Sequence, residues 1–172
     1  GNFKIGANYA GGLLATRLAQ QLGANEALFL DAAQRRYIDE AGSANIVVAM
    51  RGGRFVTPSS SAVLPSVTRR SIMTLAEKEL GLTIEQRPID LRKEIEDFEE
   101  RHQDLRAEVA ACGTAAVVSP VGRIWLDSKW HSFYGGGEKA GPTMQKLYEL
   151  LVGIQRGELA DSYGWTHEVP LD

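Results

Sequence analysis

The 172 residues carry a formal charge of −3, with 44% hydrophobic and 24% charged residues; a chain of this size and balance can bury a core as one domain and has no basic footprint for nucleic acid or an acidic membrane. A single cysteine, Cys112, excludes an internal disulfide, and with His102, His131 and His167 scattered there is no metal-ligand spacing. No apolar run is long enough to span a bilayer and nothing at the start reads as a signal peptide, so a cytoplasmic location is expected.

In chain order, Leu13, Leu14, Leu18 and Leu22 recur at helical spacing between Ala10 and Leu22, and Gly23 stops the run, which predicts a helix with one buried face. The segments EALFLD, RRYIDE, NIVVAM and RFVT follow as strands separated by glycine-containing turns, a meander with one buried face. The loop PSSSAVLPS leads into a helix from Val67 to Leu80, capped by Ser66 and closed by Gly81, and LTIEQRPI is a further strand. A charged helix is expected from Leu91 to about Val109, with Ile95, Phe98, Leu105 and Val109 on one side and its charges forming a solvated face. TAAVVSPVGRIWLD and WHSFY read as strands flanking a turn, YGGGEKAG as a loop, and GPTMQKLYELLVGIQRG as a last helix with Pro142 in its first turn. Helices and strands mixed without strict alternation, and without internal repeats, argue an α+β domain over residues 1–172.

Four places along this chain could carry chemistry. In LPSVTRRS, Ser66, Val67 and Thr68 stand at a helix start, where free amides and the positive end of the dipole favour an anion; the same pattern is also what a plain serine cap looks like. In ACGTAAVV, Gly113 and Thr114 offer backbone amides and a hydroxyl to an oxyanion, or simply pack. Glu40, where YIDEAG passes into a turn at Gly42, is either an exposed carboxylate or the partner of a buried cation such as a protonated ring nitrogen. Lys4 is either a solvated surface lysine or a Schiff-base lysine, which needs surroundings that lower its pKa and hold it still.

The order of these blocks carries more than any one of them. KIGANY, YIDEAGSANI, LPSVTRRS, CGTAAVVSP and GPTMQKLYELLVGIQRGE with its later GW resemble successive motifs of the branched-chain amino acid aminotransferases, enzymes of fold type IV that depend on pyridoxal 5'-phosphate. The resemblance runs from Phe3 to Trp165 and is weakest in RKEIEDFEERHQDLRAEV. It implies the large C-terminal domain of that fold, a mixed sheet or pseudo-barrel with flanking helices. It also implies transfer of an amino group between leucine, isoleucine or valine and 2-oxoglutarate, with glutamate as the co-product, in a homo-oligomer.

Carried over by residue, the resemblance makes Lys4 the catalytic lysine that holds the cofactor and shuttles the proton, with Tyr9 on the cofactor's phenolic oxygen. Glu40 would keep the pyridine nitrogen protonated, which lets the ring act as an electron sink. Leu64 would pack against the ring, Val67, Thr68 and Thr114 would hold the phosphate, and Thr114, Ala115 and Ala116 would receive the substrate carboxylate. Family members have a smaller N-terminal domain that supplies a phosphate-binding arginine; it is expected to be absent from this chain, with Lys4 near the junction. Where some members carry a paired-cysteine switch after the GTA block, this chain has alanine and serine, so no thiol switch is implied. Rival readings are a D-amino-acid transaminase or aminodeoxychorismate-lyase-like enzyme of the same fold, or a retained domain without turnover.

Overall fold

Five consecutive buried residues, Asn45–Ala49, mark the centre of the sheet, as the nearly continuous apolar run NIVVA requires of a strand covered on both faces. The computed structural model describes residues 3–42, 44–100, 107–137 and 139–170, with the backbone alone at 97–100, 135 and 137. The central strand is β3 (Ala44–Met50), counted after β1 (Leu28–Leu30) and β2 (Ile38–Ala41). β4 (Arg54–Pro58), β5 (Thr83–Arg87), β6 (Glu108–Gly113) and β7 (Val117–Pro120) complete a seven-stranded sheet.

β6 runs antiparallel along one edge of β3, from Asn45↔Cys112 to Ala49↔Glu108. On the other edge β2 pairs near the start of β3, at Glu40↔Asn45, and β4 near its end, at Val48↔Val56. β1 lies outside β2 and β7 outside β6. β5 is parallel to β4, which a short hairpin turn cannot achieve; the crossover is α3 (Val67–Lys78). A separate hairpin joins β8 (Arg123–Leu126) to β9 (Lys129–Ser132) through Asp127 and Ser128, both at positive φ as a tight two-residue turn demands.

Alternation along β3 divides two cores. Val47 and Ala49 face α3 and α5 (Pro142–Gln155), packing with Phe55, Ile72, Leu75, Met144 and Leu147. Ile46 and Val48 face the opposite layer, with Ile89, Phe133 and Ile95 of α4 (Leu91–Glu100). An α+β architecture is what the sequence implies, a mixed sheet with flanking helices, and the expected helix over Val67–Leu80 is present with Ser66 capping it through Arg69 N at 3.2 Å.

Several expectations are corrected. The expected meander is present, β1 to β4 pairing antiparallel in order, but it is covered on both faces and not on one. The helix expected over Ala10–Leu22 is present as α2 (Leu13–Gln21), separated by Gly11 and Gly12 from a short α1 (Gly6–Ala10), but neither buries a residue. Its leucine row faces outward, with Leu13 62% and Leu14 68% exposed, since α3, α5 and α4 already occupy the sheet's faces. The RRYIDE strand begins only at Ile38: the Asp31 carboxylate accepts the amides of Gln34, Arg36 and Tyr37 at 2.7, 2.8 and 2.8 Å and folds that stretch into a turn. Among the described residues the charged helix is α4 over Leu91–Glu100, and Val109 belongs to β6. Leu105 and the side chain of Phe98 lie outside the described residues.

Candidate active site

Glu40 owes its position to an irregularity in β2. The strand meets β1 at Leu28↔Ala41 and again at Leu30↔Ile38, so β2 carries one residue more than its partner over this span, and a bulge lies at Asp39–Glu40. Ile38 and Ala41 both face the core beside α4. Glu40 is thereby re-aimed to the other face, opposite Asn45, which has the parity of Val47 and Ala49. Asn45 is in turn in register with Cys112, so Glu40, Asn45 and Cys112 form one row across β2, β3 and β6. Gly42 closes the turn after this row at φ 51°, where a Cβ would stand 2.1 Å from the Glu26 carboxyl carbon.

The Glu40 carboxyl is half-buried, and burial raises its pKa above the ordinary value. The Leu64 amide, which donates a hydrogen bond to it, and the Lys4 ammonium act in the opposite direction, while Asp39 next door reinforces the rise. Glu40 makes no ion pair among the described residues.

The start of α3 is the second component. With Ser66 extended (φ −67°, ψ 132°) and its hydroxyl accepting from Arg69, the amides of Val67 and Thr68 are the first of the helix and have no carbonyl behind them in the helical ladder. Val67 is exposed and Thr68 half-buried. Arg69, next in line, sends Nη1 to the Pro58 carbonyl at 3.3 Å, while its Nε is buried without a partner. Burial lowers the Arg69 pKa, against Cys112 and Glu40, which raise it; burial likewise pushes the Cys112 thiol up to about 12.

Lys4 is exposed in the segment before α1, within electrostatic reach of Glu40, and Tyr9 is exposed on α1 itself. Beyond Gly113, Thr114, Ala115 and Ala116 form an exposed turn at the end of β6, just past the Cys112 position of the buried row. Thus the Leu64 amide is hydrogen-bonded to Glu40, and Lys4 and Arg69, on the segment before α1 and in the first turn of α3, lie within electrostatic reach of it. No hydrogen bond among the described residues joins Tyr9 or the Thr114–Ala116 turn to Glu40.

Two polar residues of this cluster, Asn45 and Arg69, escape a reading of motifs. Their periodicity could have shown them: Asn45 has the parity of Val47 and Ala49, and Arg69 precedes Ile72, Met73 and Ala76 by three, four and seven positions, on the buried side of α3. Among the described residues no group of histidine, cysteine and carboxylate side chains could hold a metal ion; His102 lies outside them. No helix among them is long and apolar enough to cross a membrane.

The family described as amino-transferase class IV matches residues 3–124, which include Lys4, Glu40, the start of α3 and the Thr114 turn. The chain belongs to the class IV aminotransferases. It is 39% identical over 168 residues to the probable branched-chain-amino-acid aminotransferase of Staphylococcus epidermidis, covering 97% of this chain and 45% of that protein. The chain therefore spans about half the length of this curated relative.

Among solved structures, the branched-chain amino acid aminotransferase of Thermobaculum terrenum in its PLP form is similar with a TM-score of 0.72 and 28% identity, over 91% of this chain and 45% of that one. The Escherichia coli branched-chain amino acid aminotransferase gives a TM-score of 0.72 and 28% identity, over 93% and 48%. A third, the T.th. branched-chain amino acid aminotransferase with pyridoxamine 5'-phosphate, gives a TM-score of 0.76 and 29% identity, over 96% and 48%. That T.th. enzyme is also known complexed with N-(5'-phosphopyridoxyl)-L-glutamate and with 4-methylvaleric acid. These likenesses give this class IV aminotransferase chain the fold-type IV architecture expected of it.

Proposed function

We propose that this chain is the cofactor-binding part of a longer aminotransferase that moves an amino group between leucine, isoleucine or valine and 2-oxoglutarate, with pyridoxal 5'-phosphate as cofactor. The observation that carries the reading is the meeting of an amine, a half-buried carboxylate and a helix start: Lys4 within reach of Glu40, and the unladdered amides of Val67 and Thr68 on the helix whose Arg69 shares Glu40's field. This donor set fits the cofactor. A carboxylate whose charge is disfavoured by burial, and which has no ion pair among the described residues, suits a protonated pyridine nitrogen. Amides at a helix start suit a phosphate.

When bound, pyridoxal phosphate supplies an electron sink for the substrate's α-carbon. The chain's own residues hold and aim it. Lys4 Nζ would attach the cofactor covalently and, once freed by the incoming amine, carry the α-proton. Glu40 would hold the ring nitrogen's proton in place, Leu64 would pack against the ring, and the Tyr9 hydroxyl would meet the phenolic oxygen. Val67 and Thr68 would hold the phosphate with Thr114, and the amides of Thr114, Ala115 and Ala116 would take the substrate carboxylate. Substrates and co-substrates follow the relatives: branched-chain amino acids, 2-oxoglutarate and glutamate, with the two T.th. complexes as supporting analogues. The outward leucine row of α2 supports a homo-oligomer, and the single buried Cys112, free of any disulfide, suits a cytoplasmic enzyme.

The test is covalent. The protein is incubated with pyridoxal phosphate, reduced with borohydride and digested, and the modified peptide is mapped by mass spectrometry. Label on Lys4, abolished in Lys4→Ala, is expected. Stoichiometric label on a different lysine, with Lys4 unmodified, overturns the assignment.

A further inference from the structure

We propose that Glu26 is a positioning residue: its carboxylate, seated on the bare Cα of Gly42 and holding the Thr16 hydroxyl, fixes the turn that follows Glu40 against the helical unit that follows Lys4. The inference rests on the proposed function only in taking Lys4 and Glu40 as the pair to be kept in place; the Glu26 contacts stand on the structure of this chain.

Glu26 precedes β1 and is exposed, and it makes no ion pair among the described residues. Its side chain folds back onto Gly42: a Cβ there would stand 2.1 Å from the Glu26 carboxyl carbon, 2.4 Å from Oε1 and 2.6 Å from Cγ. Ordering so long a side chain at the surface costs rotamer freedom, which directed contacts must offset. Oε1 makes two, accepting the Thr16 hydroxyl of α2 at 3.3 Å and the Ala27 amide at 3.3 Å. The Gly42 amide in turn donates to the Ala27 carbonyl at 2.9 Å. The Gly42 turn is therefore held by one side chain and one carbonyl of neighbouring residues. Gly42 has φ 51°, and any side chain there would displace Glu26, so glycine alone leaves the carboxylate its seat.

The other end of the contact leads to Lys4. The Phe3 carbonyl, next to it, accepts the Asn8 side-chain amide of α1 at 2.7 Å and the Ile5 amide at 3.1 Å, which ties the lysine segment to α1. α1 meets α2 at Gly12, where a Cβ would stand 3.2 Å from Phe29 Cζ of β1, so this junction also rests on the β1 edge at a glycine. Among the described residues, Thr16 to Glu26 is the one side-chain hydrogen bond that α1 or α2 makes to a later part of the chain. With no buried residue in either helix, apolar packing does little to fix how they lie on the sheet, and directed contacts take that part. Glu26 reaches neither cofactor nor substrate in this role; it acts through the Gly42 turn, two residues after Glu40.

The experiment follows the Glu40 side-chain carboxyl by carbon-13 NMR across pH in the cofactor-free chain, for the wild type, Glu26→Gln and Glu26→Ala. Both variants remove the Glu26 charge, but glutamine keeps the shape and an oxygen that accepts from Thr16 and Ala27. Asp39, Lys4 and the Leu64 amide, which act on Glu40 together with burial, are present in all three proteins. Glu26→Gln is expected to titrate at Glu40 as the wild type does. Glu26→Ala frees the turn and admits water, so the Glu40 pKa is expected to move down toward the ordinary 4.5. Glu40 titrations that coincide in folded Glu26→Ala and Glu26→Gln overturn the proposal. A second readout is the initial rate at which Lys4 is labelled by pyridoxal phosphate and borohydride, expected to drop about tenfold in Glu26→Ala and to hold in Glu26→Gln; equal rates in the two overturn it as well. Label on a different lysine would sink the proposed function and leave the cofactor-free Glu40 comparison to decide the role of Glu26.

Discussion

Glu40 stands where its own charge is unfavourable, and that has opposite consequences with and without a cationic ligand. In the cofactor-free protein, burial raises its pKa above the ordinary 4.5, so the folded state prefers the protonated carboxyl. A raised folded-state pKa contributes stability that is complete below the unfolded value and is lost as pH climbs through the folded one. Glu40→Gln removes that loss: its melting temperature is expected to gain on the wild type as pH rises above the ordinary carboxyl value, and a difference that does not vary with pH would contradict the burial argument. Under the proposed function, the same change in the cofactor-loaded enzyme would remove a charge-assisted contact worth about 1.5–3 kcal/mol, so kcat is expected to fall roughly tenfold to a hundredfold. An unchanged kcat would make Glu40 a structural carboxylate only. At this scale the sequence singled out Lys4 and Glu40 as candidates, because each sits in an ordered block of motif residues. The bulge that aims Glu40 was not legible, since it exists only in the pairing of β2 with β1. Asn45 and Arg69 were hidden because a polar residue on an apolar face has meaning only once that face is known to be covered.

At the scale of elements, the ends of helices show what local sequence can and cannot encode. α3 announces itself through Ser66 and Gly81, both adjacent in sequence to the turns they serve. α5 has no such local cap: Gly141 precedes it without a side chain, and the amides of Thr143 and Met144 are instead taken by the Glu108 carboxylate, at 3.1 and 2.8 Å, from the start of β6. The approach is close enough that a Cβ at Gly141 would fall 2.2 Å from the Glu108 carboxyl carbon. This cap also shows why the reading of the charged segment as helix up to Val109 fails: Glu108 and Val109 look like a continuation of the charged run, yet they open a central strand whose first side chain is buried in capping α5. Glu108→Ala leaves two donors in buried surroundings and is expected to destabilise the fold by about 1–3 kcal/mol, with Glu108→Gln intermediate because it keeps one acceptor oxygen. Urea denaturation checks this. A loss for Glu108→Ala within experimental error would mean that water replaces the carboxylate without penalty.

At the scale of the whole molecule, the feature that pattern reading inverted is the leucine row of α2. Its spacing is that of a buried face, and the periodicity is real; what periodicity cannot state is which partner lies against it. Here Leu13, Leu14, Leu18 and Leu22 are 62%, 68%, 51% and 49% exposed, with Phe3 and Ile5 exposed before them. Fully burying one such side chain is worth about 1.5–3 kcal/mol, so covering several of them can outweigh the lost freedom of two associating chains. We therefore expect this chain to self-associate in a concentration-dependent way through α2. Replacing Leu14 and Leu18 together by Glu puts charge into the contact while touching no buried residue, since α2 buries none. The double variant is expected to keep the wild-type melting temperature within a degree or two and to sediment as a monomer at concentrations where the wild type does not. A wild-type chain that is monomeric throughout would show that the outward row drives no association, and a double variant that associates as strongly as the wild type would place the contact on another face.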